Sequence, residues 1–137
     1  MEERWLNMFM AEWQAQRDSA QPRTIAIVDE QPEQQYLYPE FLLFQRLFER
    51  FGIRCLIASP EELRWESGQL WLGDEVIDLV YNRLTDFYFD EADSAALRDA
   101  YLAGAVVVTP TPRAHALYAN KRHLACLSQP ESLAKLE

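Results

Sequence analysis

Four short apolar runs, rich in β-branched residues and each ending in polar residues, constrain this chain more than any other feature. Thr24-Ile25-Ala26-Ile27-Val28 ends at Asp29-Glu30, and Ile53 to Ala58 ends at Ser59. Leu79-Val80-Tyr81 leads straight into Asn82-Arg83, and Ala105-Val106-Val107-Val108-Thr109 ends at Pro110. Runs of this length without polar alternation are the pattern of strands buried on both faces, as in a parallel sheet.

Segments of helical period separate the runs. Phe41, Phe44, Leu47, Phe48 and Phe51 share a face between Tyr38 and Phe51, with Pro39 in the first turn and Gly52 as the stop. Asp93 to Ala103 predicts a helix capped by Asp93 or Ser94 and stopped by Gly104, and a last helix runs from about Arg113 to Leu127, ended by Gln129-Pro130. A first helix is expected from Glu2 to Ala20, with Trp5, Leu6, Phe9 and Trp13 on one stripe and Pro22 beyond its end. That stripe either packs on the domain or faces a partner. Pro60 to Leu63 opens a short helical turn, and Gln69 to Ile77 predicts a hairpin around Gly73-Asp74. The order of elements implies an open α/β sheet with helices on both faces. No internal repeat or low-complexity tract interrupts it.

A chain of 137 residues supports one hydrophobic core, and 49% apolar residues suffice to build it. The net charge of −9 repels nucleic acid and anionic lipid alike. The longest apolar stretch, Tyr101 to Val108, is eight residues, far short of a membrane span, and Glu2-Glu3 is the wrong charge for a secretory leader. A cytoplasmic location is expected. The four glycines, Gly52, Gly68, Gly73 and Gly104, are scattered, so no phosphate-cradling loop can be written. Cys55 and Cys126 read as small buried hydrophobes, and His115 and His123 lie eight apart without zinc spacing. The chain itself therefore calls for no cofactor and no metal.

The polar residues that stand out sit at strand ends, where ligands of open α/β sheets bind. Arg83 is the sharpest of them: it directly follows a buried strand, and its planar fork suits a carboxylate or phosphate. The bland alternative is a tie to Asp86 or Asp29. Asn82 and Thr85 flank Arg83 as orienting groups, Asp29 and Thr109 stand at neighbouring strand ends, and the aromatic group Phe87, Tyr88 and Phe89 follows. Strand one connects to strand two on one side, so strand three lies on its other side and a crevice opens between Asp29 and Arg83.

Several local strings together resemble the N-terminal domain of ATP-grasp carboxylate–amine ligases of the glutathione synthetase type, and are similar, less closely, to relatives of glutathionylspermidine synthase. Ser59-Pro60-Glu61-Glu62-Leu63 and the hairpin Gln69 to Ile77 match one section of that pattern. Asp78 to Arg83 with Asp86-Phe87, then Gly104 to Pro110 and Asn120-Lys121, match the next, so the likeness covers Thr24 to about Pro130. It implies a three-layer Rossmann-like open sheet, mainly parallel, of order 2-1-3-4, with an inserted β-hairpin and an N-terminal helix. The domains expected are an amphipathic helix over 1–21, a pre-ATP-grasp domain over 22–131, and a tail over 132–137 whose Leu136-Glu137 reads as a cloning scar.

The function implied is substrate binding within an ATP-dependent ligase, inactive alone, with Lys121 contacting the nucleotide from the domain border. ATP and Mg²⁺ belong to the full-length parent. The partners implied are the C-terminal ATP-grasp domain of that parent, a small carboxylate or amine substrate, and a second copy of the chain in a homodimer; nucleic acid and membrane are not among them. Two other readings stand beside this one. The chain resembles a response-regulator receiver through Asp29-Glu30, Thr109 and Lys121, but Arg83 stands where the phosphoacceptor Asp should end the third strand. A pure interaction module would dock through Trp5 and Trp13.

Overall fold

The fold is that of a computed structural model, which describes residues 1–118. The chain runs α1 (Glu2–Gln16), β1 (Thr24–Val28), α2 (Tyr38–Arg50), β2 (Arg54–Ala58), β3 (Leu63–Glu66), β4 (Gln69–Leu72), β5 (Glu75–Val76), β6 (Leu79–Asn82), α3 (Ala95–Leu102), β7 (Val107–Thr109) and α4 (Pro112–Tyr118). Four strands form a parallel sheet in the order β2-β1-β6-β7, and β3, β4 and β5 form a small antiparallel sheet. The four apolar runs thus take the order expected of them in a Rossmann-like α/β sheet.

The pleat sorts the core into two halves. Ile25, Ile27, Leu79, Tyr81 and Val107 face Phe9 of α1 and Phe41 and Phe48 of α2. Ala26, Val28, Val80 and Val108 face the opposite way, onto Leu97 and Ala100 of α3 and onto Leu63, Leu70 and Ile77 of the hairpin region. From the centre, the chain moves outward to β2 through α2 on one face and outward to β7 through α3 on the other. Opposite directions over opposite faces give both crossovers one hand, as twisted strands require.

α1 belongs to this core. Phe9 is fully buried, with its ring 5.0 Å from that of Phe48 and 4.9 Å from that of Tyr81. Trp13 is buried as well, and its indole N–H donates to the Ser19 carbonyl at 2.9 Å. A docking face built on Trp5 and Trp13 together does not exist, because Trp13 is already covered. The same indole bond, with Gln14 Nε2 donating to the Ala20 carbonyl, folds the chain back beside the helix. The helix therefore ends at Gln16 with an extended Arg17, four residues short of the expected Ala20.

Other elements differ from expectation as well: β2 begins at Arg54, and α3 begins at Ala95 behind a 3-10 turn over Ala92–Ser94. β7 begins at Val107, since the Ala105 N–H is spent on the Ala100 carbonyl in the αL turn at Gly104 (φ 69°) that ends α3. β3 is an additional strand: Ser67 (φ 53°) and Gly68 (φ 74°) make a two-residue turn that pairs Leu63–Glu66 with β4. Asn120-Lys121, His123, Cys126, the end of the last helix and the tail 132–137 lie outside the described residues. Among the described residues no helix is long and apolar enough to cross a membrane.

Candidate functional site

The order in which strands are added to the sheet reverses between β1 and β6, and the carboxyl ends of these two parallel strands lie side by side. Val28 pairs with Asn82, and the ladder runs one step further because the Arg83 N–H donates to the Val28 carbonyl at 2.9 Å. The Asp29 N–H donates to the Ala58 carbonyl on the other side. Asp29 and Arg83 therefore leave adjacent strands at the point where open α/β sheets take ligands.

The pleat decides which side chains meet. Tyr81 faces α2, so the alternation turns Asn82 to the opposite face and returns Arg83 to the side of Tyr81. The Arg83 guanidinium lies 5.5 Å from the centre of the Tyr81 ring and 6.0 Å from that of Phe41, and its Nη1–H donates to Tyr81 Oη at 3.3 Å. Among the described residues this is its one side-chain hydrogen bond, and no carboxylate comes within ion-pair distance. The tie to Asp86 or Asp29 is thus not made. The Asp86 carboxylate instead accepts the N–H groups of Asp90 at 2.9 Å and Glu91 at 3.0 Å. Asp29 is half-buried and feels the Arg83 charge only at longer range; burial pushes its carboxyl up, against the pull of the Glu30 N–H bond and of Arg83.

The other expected residues divide. Thr109 is buried and pairs with Tyr81, which puts it on the α1–α2 face with Asp29 and Arg83. Asn82 is buried too, but its Oδ1 accepts the Leu84 N–H at 3.1 Å and closes the turn after β6. Its position is a structural one, away from Arg83's fork. Thr85 is exposed, with its carbonyl accepting the Phe87 N–H. Lys121 lies outside the described residues.

Two concave spaces flank the switch point. One of about 300 Å³ opens between the β1–α2 loop and the end of β2, lined by Gln31, Glu33, Tyr38, Ser59 and Glu62 among others. The larger, about 600 Å³, lies between α1 and α2; Arg83 and Tyr81 line it together with Trp5, Glu40, Leu43 and Phe44. Arg83 therefore opens into this α1–α2 groove, whose lining among the described residues includes neither Asp29 nor Thr109, so the space it faces is not the crevice expected between Asp29 and Arg83. Sequence reasoning missed Tyr81 and Glu40. The period of two along β6 carries a signal for Tyr81, since a residue two before Arg83 shares its face.

Asp29 and Glu30 supply two carboxylates at one strand end, and among the described residues no group of three His, Cys, Asp or Glu could hold a metal ion. What the arrangement offers is a guanidinium with donors to spare, set on two aromatic rings at the mouth of an apolar groove. Neither protein-family models nor curated proteins match this chain.

Proposed function

We propose that this domain binds a small carboxylate-bearing substrate at the β1–β6 switch point through Arg83, as the substrate-binding domain of an ATP-dependent carboxylate–amine ligase. The observation that carries the binding step is Arg83 itself: half-buried, within cation–π range of the Tyr81 ring, and without a carboxylate partner among the described residues. A guanidinium held beside Tyr81 and Phe41 and bonded to the Tyr81 hydroxyl has part of its freedom already removed, so less is lost when an anion arrives. Holding the substrate for attack is a positioning role, which supplies much of the rate in such bimolecular chemistry. The ligase half of the reading rests on the resemblance described above. In it, activation of the carboxylate by nucleotide belongs to a further domain.

Succinate titration of the full chain, followed by amide chemical shifts, tests the binding step. Shifts should centre on Arg83, Tyr81 and Asp29. Arg83→Lys keeps the charge but loses the fork, and should weaken binding by about 1–3 kcal/mol, the range for charged hydrogen bonds, while the urea midpoint hardly moves. Binding that ignores Arg83→Lys, or a variant that unfolds, would make Arg83 a structural tie. Calorimetry with Mg-ATP tests the division of labour: micromolar affinity of this chain alone would overturn it.

A further inference from the structure

The groove between α1 and α2 carries more than a wall for Arg83. Along α2, Glu40, Leu43, Phe44 and Leu47 form a stripe at helical spacing that faces it, and Trp5 of α1 closes the other side with its ring 6.0 Å from that of Phe44. Leu43 remains 65% exposed and Trp5 47%. Single exposed apolar residues are ordinary. Here they line one concavity of about 600 Å³, within the size range of small-molecule sites, with polar groups gathered on its lining.

Those polar groups are sharply sorted. Glu2 is spoken for, since its carboxylate accepts Arg50 Nη1–H at 2.7 Å. Arg83 and Glu40 have no ion-pair partner among the described residues, and both line the groove together with Tyr81. One unpaired cation and one unpaired anion therefore flank Tyr81 beside an apolar wall. A pure anion would meet Glu40 as a like charge, and a pure cation would meet Arg83. A ligand bearing both charges at one end satisfies both.

We infer that the α1–α2 groove binds an amino acid with a large apolar side chain, its carboxylate on Arg83, its ammonium toward Glu40 and its side chain against Trp5, Leu43 and Phe44. This rests on the carboxylate-binding role of Arg83 proposed above and narrows it to a substrate class. The groove's apolar wall supplies the selectivity, because a short polar amino acid would leave Leu43 and Trp5 in water.

The test is calorimetric titration of the full chain with phenylalanine, alanine, 3-phenylpropionate and succinate. Phenylalanine should bind at least tenfold tighter than alanine, and 3-phenylpropionate, which lacks the ammonium, should fall between them. Leu43→Gln, at an exposed helix position, should cost phenylalanine about tenfold and leave alanine and succinate unchanged. Glu40→Gln should bring phenylalanine down to the level of 3-phenylpropionate. If succinate binds in an Arg83-dependent way but phenylalanine binds no tighter than alanine, the groove assignment is wrong and the carboxylate site stands. If no probe binds, both are wrong. If sedimentation shows a dimer that Leu43→Gln dissociates and phenylalanine does not, the groove seats a second copy and the amino-acid assignment is overturned.

Discussion

Asp29 ends β1 half in the protein, its Oδ1 accepting the Glu30 N–H at 2.8 Å, and burial raises its carboxyl above the ordinary 3.8. Folding thus favours the protonated form. The stability this contributes is fully present below the ordinary value and is lost as pH rises through the raised one. Asp29→Asn keeps the acceptor and removes the charge, so it should be more stable than the parent at pH 7, by less than about 1 kcal/mol because the group is half solvated. Urea midpoints at pH 7 and pH 3 should show the gap and then its closure. Asp86 has the opposite sign. Burial would raise its carboxyl, but hydrogen bonds from the Glu91 and Asp90 N–H groups and the Ser94 hydroxyl outweigh it and hold the carboxyl below 3.8. Its stabilisation is present above the ordinary value and lost as pH falls through the depressed one. Asp86→Asn should therefore destabilise by about 1–2 kcal/mol at pH 7, a deficit that thermal melts should find shrinking in acid.

At the scale of elements, α1 is the most informative, because the sequence left open whether its stripe packs on the domain or faces a partner. A helix whose stripe could equally have faced a partner is fixed to the sheet by Phe9, which meets Phe44, Phe48 and Tyr81 edge to face. Phe9→Ala should cost about 3–5 kcal/mol, the range for emptying a buried aromatic site. Chemical denaturation reads this directly. A loss within a few tenths of a kcal/mol would mean that α1 is an appendage. The hairpin region tells a different story: the Gly73-Asp74 turn was legible because a two-residue turn stood between apolar residues, whereas the Ser67-Gly68 turn was not read. Its first strand carries Arg64 and Glu66 facing water and only Leu63 fully in the core, a weak alternation beside the strong runs of the parallel sheet.

Taken as one molecule, the described residues join α1, the parallel sheet, α3 and the small sheet through two cores that share the strands between them. Trp5 and Trp13 lie on α1, and Trp65 and Trp71 on the small sheet at the other face. Urea unfolding followed by tryptophan fluorescence and by far-ultraviolet circular dichroism should therefore give coincident transitions. An early fluorescence phase removed by Trp5→Phe and Trp13→Phe would show that the boundary expected after residue 21 separates an independently unfolding unit.

By itself the sequence determined the parallel sheet, its strand order and the place of Arg83. Continuous apolar runs have one stable setting, between two covering layers, and Arg83 follows such a run by covalent connection alone. The direction of the Arg83 side chain was decided only in three dimensions. The register of β1 with β6 and the placement of Phe41 on α2 give the guanidinium its aromatic seat, and residues 40 to 47 form a groove only because α1, far away in sequence, lies across from them. Asn82 shows the same limit. Its neighbour in sequence suggested a shared task, but the pleat of a strand sends adjacent side chains to opposite faces, and the Leu84 N–H claimed it for the turn.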